Sequence, residues 1–594
     1  MSATRQGTDK GITERLFQNT MLTMLIAELS GALTAIIDGV ITGRFLGSTA
    51  LAAHGIGTPY FSIASIISGI LMVGSTALCT RAIGKGDEKE TGRIFSMTLF
   101  LSIALSVLLA LGGSVFAGSL ASLFGAKPSS PELHAATTAY LKGIFPGAPG
   151  FILFVFLTPL LQLDGDSFRP KLASAVCAVV DVAGDLLNVM VFHGGMFGMG
   201  LASSLSHYAA LIVVLSHFLG KKSLFRFSFD SLQFDMIPSL TRDGMPRAVC
   251  MFCRGLLPIL MNSLVLSIAG AEGVAALSAE NSSSFVVGAL GWGIGGAVLI
   301  MGGMMVGEND VRGLVTVMKT ALKDILVLVT CMAAAVSAAA PLIAGLFIPS
   351  GGDAYTMAIT AIRCYALSLP FLAFNVSCAN YFQSIQRLKS ANAVNICIEF
   401  GCTAAFALLL SPRLGILGVW LAFPVGEMTL CLIIILSAVF KKDRNRDGLA
   451  AYMLLPPDFG VADEDLLESS VKTVEEAVAS STEVDVFCRE RGISKKEAYR
   501  LSLCTEELAR NVIEHGFSDG KPHHLDIRVF IKDGKPVLRM RDDCILFDLR
   551  EKAENWSYDP EHPEKNIGIR LVMSTAKDIA YTSTMNTNNL IITV

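Results

Sequence analysis

GKGD at residues 84–87 returns as GEND at 307–310, and this pair decides how the chain is read. The same offset of 223 residues carries LGSTALAA (46–53) onto AGAEGVAA (269–276). Toward the ends of the two halves, GMFGMGLA (195–202) answers GILGVWLA (415–422). A period this long holds several helices, so the chain reads as a duplicated helical bundle.

The surroundings of the tetrapeptides set the class. Of 594 residues, 52% are hydrophobic and 16% charged, and the mean hydropathy of +0.56 lies far above that of a soluble globular chain. A bilayer crossing takes about 20 apolar residues. Such blocks have cores near 16–40, 49–80, 92–119, 138–163, 172–193, 198–219, 247–270, 274–305, 316–346, 356–385, 391–410 and 416–440, which makes twelve spans. Basic runs (RAIGKGDEKETGR, FRPK, KKSLFRF with TRDGMPR, VRGLVTVMKTALK, QRLK, KKDRNR) fill every second loop, while the alternate loops hold little beyond Arg44, Lys127 and Arg413. Both termini are therefore expected on the cytoplasmic side of a cell membrane. The first apolar run is too long for a signal sequence and has no cleavage pattern, so it is expected to stay as a span.

Other classes are disfavoured. A formal net charge of −4 argues against nucleic acid as partner. The thirteen cysteines sit mostly alone in apolar runs, where they pack as small hydrophobes. Cys250 and Cys253 have a C-x-x-C spacing but no second pair, so they read as packing residues rather than metal ligands. Two six-helix bundles related by duplication form the plan of a secondary transporter with a cavity between the halves.

The run DGVITGRFLGSTALAAHGIGTPY (38–60), followed by GSTALCTRAIGKGD (74–87), resembles the opening of the multidrug and toxic compound extrusion (MATE) family. The likeness covers about residues 12–440. It implies an antiporter that exports organic, amphipathic or cationic small molecules against an inward flow of H⁺ or Na⁺. Composition and periodicity alone give only a twelve-helix transporter.

Carboxylates inside spans cost about 2.5–3.5 kcal/mol to insert, so each invites a function. Asp38 lies in the first span. Asp181, Asp185 and Asn188 in the fifth share one helical face at i, i+4, i+7. Two such acids in low dielectric cannot both ionise cheaply, which makes a proton-binding site. By the resemblance, Asp38 and Asp185 match the family's first- and fifth-span aspartates, and Asp181 replaces its fifth-span asparagine; all three are candidate ion-coupling residues. The proline of many relatives' first span is absent here. In the second half Glu280, Glu399 and Glu427 are intramembrane acids for which local hydrogen bonding is the simpler reading.

After KKDRNRDGLAAYMLLPPDFG the chain turns soluble. The stretches 474–492 and 494–517 read as amphipathic helices, HLDIRVFIKDG, KPVLRMRDD and IAYTSTM through NNLIITV as strands, and NIGIRLVMSTAKD as a helix between strands. This predicts an α+β sandwich. The expected division is a first six-helix repeat over 1–220, a second over 221–440, a linker over 441–470 and a cytoplasmic domain over 471–594.

That order resembles the Bergerat ATP-binding fold of histidine kinases and gyrase, most closely the anti-sigma-factor serine kinases. The resemblance implies ATP and Mg²⁺ as cofactors, Asn511 as magnesium ligand and Glu507 as candidate catalytic base on TEELARNVIEHGF (505–517). It makes RMRDDCILFD the adenine box, with Asp542 accepting from the adenine amine and Asp543, Phe547 and Asp548 beside it. Gly568 in NIGIRLV lets backbone approach the phosphates. Cys544 and Asn566 stand where the family has glycines, and each adds a side chain beside the nucleotide.

The fold class is thus an all-α polytopic membrane protein with a C-terminal α+β sandwich. The function expected is cation-coupled export with a regulatory nucleotide-binding domain, the bilayer and a small-molecule substrate being its partners. Two alternatives stay open. One is a membrane-tethered signalling switch or serine kinase acting on a small regulatory protein. The other is a lipid-type flippase of the same superfamily.

Overall fold

The computed structural model describes residues 10–57, 59–126, 128, 130–219, 223–232, 234–348, 350–456, 459–517, 523–532, 534–547, 567–585 and 587–594. The repeated tetrapeptides are turns between helices, and their geometry explains their sequence. Gly86 and Asn309, at equivalent positions, are both left-handed (φ +76° and +55°), a conformation that glycine and asparagine tolerate. The next residue is an aspartate that caps the following helix. Asp87 Oδ1 accepts from the Glu90 N–H and Asp310 Oδ1 from the Gly313 N–H, both at 2.9 Å.

The first half runs α1 (Lys10–Ile41), α2 (Ser48–Gly57), α3 (Pro59–Gly84), α4 (Glu88–Val115), α5 (Ala117–Phe124), α6 (Pro131–Ile144), α7 (Ala148–Leu163), α8 (Phe168–Leu187) and α9 (Gly195–Leu215). The second runs α10 (Ile237–Gly307), α11 (Val311–Asp324), α12 (Thr330–Phe347), α13 (Asp353–Ser384), α14 (Leu388–Ile396), α15 (Cys402–Leu414) and α16 (Ile416–Phe440). Gly270, at φ +63°, breaks α10 into the seventh and eighth spans. Among the described residues, 11 helices are long and apolar enough to cross a membrane. The expected first span corresponds to α1, a continuous helix of 32 residues.

The halves join at one end and part at the other. Near the tetrapeptides one buried core mixes first-half residues (Phe17, Ile83, Phe156) with second-half residues (Ile294, Met301, Leu372). Among the described residues, the cores at the opposite end belong to one half each, around Tyr60, Tyr140 and Phe145 in the first and Met261, Val265 and Trp420 in the second. Across the shared end Arg81 pairs with the buried Asp243, Gln18 donates to Asp324 at 2.6 Å and Lys323 pairs with Glu14 at 2.9 Å. If the basic loops face the cytoplasm, the protein is closed on that side.

The soluble unit is a five-stranded antiparallel sheet, β1 (Leu466–Val471), β2 (Leu525–Lys532), β3 (Lys535–Asp542), β4 (Asp578–Thr584) and β5 (Thr587–Thr593), in the order β1-β2-β3-β5-β4. Helices α17 (Val474–Glu490), α18 (Lys495–Asn511) and α19 (Ile567–Thr575) accompany it. Alternation sends Leu525, Ile527, Val529, Leu538, Met540 and Ile592 into a core shared with α17 and α18. Strand β1 starts within the stretch read as linker and ends at Val471, the first residue of the expected domain. Its alternation is weak, and its pairing with β2 (Leu466 opposite Phe530, Val471 opposite Leu525) supplies the order that its sequence does not announce.

Candidate functional site

Two groups of residues stand out, one in the first-half bundle and one in the soluble domain. Helices α1 and α8 bring Asp38, Asp181 and Asp185 together: all three are buried, and Asp38 lies within hydrogen-bonding reach of both others. Yet Oδ1 of Asp38, Oδ1 of Asp181 and both oxygens of Asp185 find no donor. Carboxylates that face one another can only accept, so this cluster is incomplete without protons or a cation. The hydroxyls of Ser203 and Ser206 on α9 flank Asp181, and buried Tyr140 lies near all three acids, edge-on to His54 at 5.3 Å. Sequence reading missed Tyr140 and the serines, which carry no signal apart from being polar in apolar spans.

Asn188 does not join the acids. Its Nδ2 donates to the Gly195 carbonyl (3.0 Å) and its Oδ1 accepts from the Gly194 N–H (3.1 Å), so it ties down the turn into α9. In the second half, Glu399 forms a two-pronged pair with Arg254 (3.1 and 3.2 Å). Glu427 accepts from Asn375 at 2.7 Å. Those two acids are satisfied locally, as expected. Glu280 is not: it is buried, and neither carboxylate oxygen has a donor.

In the soluble domain Glu507 and Asn511 are half-buried on α18, one helical turn apart. Asp542 ends β3; its Oδ1 accepts from Asn588 Nδ2 (2.7 Å) and from the Cys544 N–H (3.1 Å). Burial nonetheless raises its pKa above the usual carboxylate value. A buried carboxylate held in one orientation suits an acceptor for an exocyclic amine, and the half-buried Asn511 amide oxygen suits a hard cation. These residues fit a nucleotide with its magnesium. The Cys544 side chain is buried; a Cβ on Gly516 would lie 2.7 Å from its sulfur, so it packs against the helical turn Val512–Gly516 that follows α18. Gly568 lies in the first turn of α19, beside α18. Asp548 and Asn566 lie outside the described residues.

Asp543 is engaged differently from its neighbour. It pairs with Arg15 of α1, accepts from the His524 N–H at 2.8 Å and faces His523 at 3.3 Å. Thus the residue next to the proposed adenine acceptor is tied to α1.

The outer face of the sheet holds what sequence reading missed. Arg528 on β2 lies opposite Arg539 on β3, with Arg541 two residues on. Like charges directly opposed would repel, but Glu308 and Asp310 of the second tetrapeptide lie between them. Arg539 and Arg541 both reach Glu308, and Arg528 reaches Asp310 at 2.9 Å. Burial pushes the Arg539 guanidinium down to about 10. Burial alone would raise Asp310, but Arg528 and the Gly313 N–H hold it below the usual carboxylate range. Arg312 adds Glu468 (2.5 Å) and Asp463 (2.8 Å), and Gly460 exchanges hydrogen bonds with Asn309 (2.9 and 3.3 Å). The alternation in DIRV and LRMRD was the available signal.

Residues 23–187 and 246–409 match the MatE family. The chain belongs to the MatE family. Two stretches of this MatE protein thus match the family, one in each half, and residues 468–594 match the histidine kinase-like ATPase domain. The MatE protein is 28% identical over 308 residues to the "Probable multidrug resistance protein YoeA" of Bacillus subtilis, covering 49% of this chain and 64% of that one. It is 21% identical over 248 residues to the "Multidrug export protein MepA" of Staphylococcus aureus, covering 41% and 54%. The chain therefore spans less than two thirds of these relatives' lengths. An outward-facing multidrug resistance MATE family transporter of the MOP superfamily superposes with a TM-score of 0.66 at 20% identity, covering 73% of this chain and 97% of that one. A MATE protein in complex with MaD3S gives 0.66 at 21%, covering 72% and 96%. At such identities the likeness shows the fold.

Proposed function

We propose that the protein is a cation-coupled antiporter exporting amphipathic or cationic organic compounds, with a cytoplasmic nucleotide-binding domain that regulates it. The observation that carries the reading is the cluster of Asp38, Asp181 and Asp185, buried together with four oxygens lacking donors. Such a cluster binds H⁺ or Na⁺ when exposed to one side and releases it when the surroundings change. Asp38 and Asp185 carry the coupling, and Asp181 adds to it. The multidrug relatives support the substrate class, and the basic residues of the loops on the side of the termini support cytoplasmic termini.

In the soluble domain Asp542 would accept from the adenine amine with Asp543 beside it, Gly568 would let the phosphates approach backbone, and Asn511 would hold Mg²⁺. ATP, when bound, would bring the negative charge of its triphosphate oxygens to this site, where Mg²⁺ would offset it. Glu507 serves as the candidate base, one turn of α18 before Asn511. The repeats we assign are 1–220 and 221–440; strand β1 moves the start of the regulatory domain from 471 back to 466, which leaves 441–465 as the connection.

The test is ethidium transport by the purified full-length protein in liposomes, driven by an imposed pH or Na⁺ gradient without nucleotide. Ethidium movement with either gradient, abolished by dissipating it, supports the reading. No movement with both gradients overturns it.

A further inference from the structure

We propose that the soluble domain is a clamp: it grips both repeats across the tetrapeptides 84–87 and 307–310, holds the cytoplasmic side shut, and lets that side open by releasing the first repeat alone. This deepens the proposed function and rests on its reading of the bundle as an alternating-access transporter.

The two tetrapeptides meet at the seam between halves. A Cβ on Gly84 would lie 2.7 Å from Gly307 Cα, and one on Gly307 would lie 2.5 Å from the Arg81 carbonyl. Opening this side means parting α3 from α10, and each helix carries its tetrapeptide with it. The domain touches both. On the first-half side, Ala580 and Ile591 of the outer sheet face cover Gly86, whose added Cβ would meet them at 3.1 and 3.4 Å. The β4–β5 turn donates the Met585 N–H to the Leu163 carbonyl (3.1 Å), and the Met585 side chain is buried in the transporter's shared core. Arg15 completes this side through Asp543. On the second-half side stand Glu308, Asp310 and Arg312, with Arg528, Arg539, Arg541, Asp463 and Glu468 of the domain or its connection.

A hydrogen-bonded sheet cannot follow two helices that move apart, so one grip must fail. The heart of the second-half grip is the buried set of Arg528, Arg539 and Arg541 with Glu308 and Asp310, whose separation would strand charges away from water, and Arg312 adds more exposed pairs at its rim. It is also next to the covalent tether from α16, where Met453 and Leu455 are buried and Tyr381 donates to the Met453 carbonyl at 2.7 Å. Among the described residues, the first-half grip is mostly apolar, with one backbone hydrogen bond and an ion pair whose Arg15 side is 54% exposed. It is the weaker of the two, and Arg15 reaches it through the residue next to Asp542. Release of the first repeat and the state of the adenine box therefore share Asp543.

The experiment is pulsed dipolar spectroscopy on the full-length protein in lipid nanodiscs. Nitroxide amino acids would be placed by codon reassignment, leaving native cysteines untouched. Labels at exposed Lys89 and Lys319 read the gap between halves, and labels at Lys89 and Lys496 read the gap between the first repeat and the domain. Arg15→Asp and, separately, Met585→Asp should lengthen the second distance and raise the long-distance population of the first at least threefold. Arg15 is exposed enough for its substitution to spare the fold. Lengthening of the domain distance with an unchanged gap between halves would overturn the clamp. So would both distances staying unchanged in both variants, because the named contacts would then hold nothing. Neither distance requires a transported substrate, so failed ethidium transport with the expected distances would remove the transport reading and leave the clamp.

Discussion

Gly84 and Gly307, equivalent residues of the two repeats, touch backbone to backbone at the seam between the halves. Neither position has room for a side chain. Gly84→Ala should destabilise the closed arrangement by about 1–3 kcal/mol, the range for overpacking a tight contact. Pulsed dipolar distances between Lys89 and Lys319 check this: a longer mean distance in Gly84→Ala than in the wild type is expected, and an identical distribution would show that the seam yields freely.

The acid cluster makes a separate demand. Asp38→Asn and Asp185→Asn should each lower gradient-driven ethidium transport at least tenfold while leaving the amount of inserted protein unchanged. Asp181→Asn, which introduces the residue of most relatives by resemblance, should keep at least a third of the wild-type rate. Transport by Asp38→Asn and Asp185→Asn at wild-type rates would remove both from the mechanism.

Much of the bundle was legible because its signals are local. Span length follows from hydropathy, and the duplication is written in the tetrapeptides, whose third residue must accept a left-handed backbone and whose fourth must cap a helix. The strands β2 to β5 were legible from alternation. The docking face was not. Nothing in the sequence marks Arg528, Arg539 and Arg541 as a docking face, because their partners Glu308 and Asp310 lie more than two hundred residues away. The role of Asn188 was illegible for a related reason. Helical spacing places it with the acids, but its amide is taken by the turn at Gly194 and Gly195, which only three-dimensional structure reveals.

A pH dependence follows from Asp542. Burial raises its pKa despite the Asn588 and Cys544 bonds. A carboxyl whose pKa is higher folded than unfolded binds its proton more tightly in the folded state. Its contribution to stability is full below the unfolded value and is lost as pH rises through the raised one. Recognition of the adenine amine needs the ionised form, so ATP affinity should fall as pH is lowered through that raised value, above the ~3.9 of an ordinary aspartate. Calorimetric titration of the full-length protein with MgATP across pH 4 to 8 checks this. A flat profile down to pH 4 would contradict the assignment of Asp542.

Nucleotide and gradient are separated most directly by one measurement, the rate of gradient-driven ethidium transport in liposomes by wild type and Asn511→Ala, each with and without MgATP on the face bearing the soluble domain. The account predicts transport by wild type without nucleotide, a change of at least twofold on adding MgATP, and an Asn511→Ala protein that runs on the gradient but ignores MgATP. Wild-type transport that requires ATP despite an imposed gradient, or an Asn511→Ala protein with an undiminished response to MgATP, would contradict it.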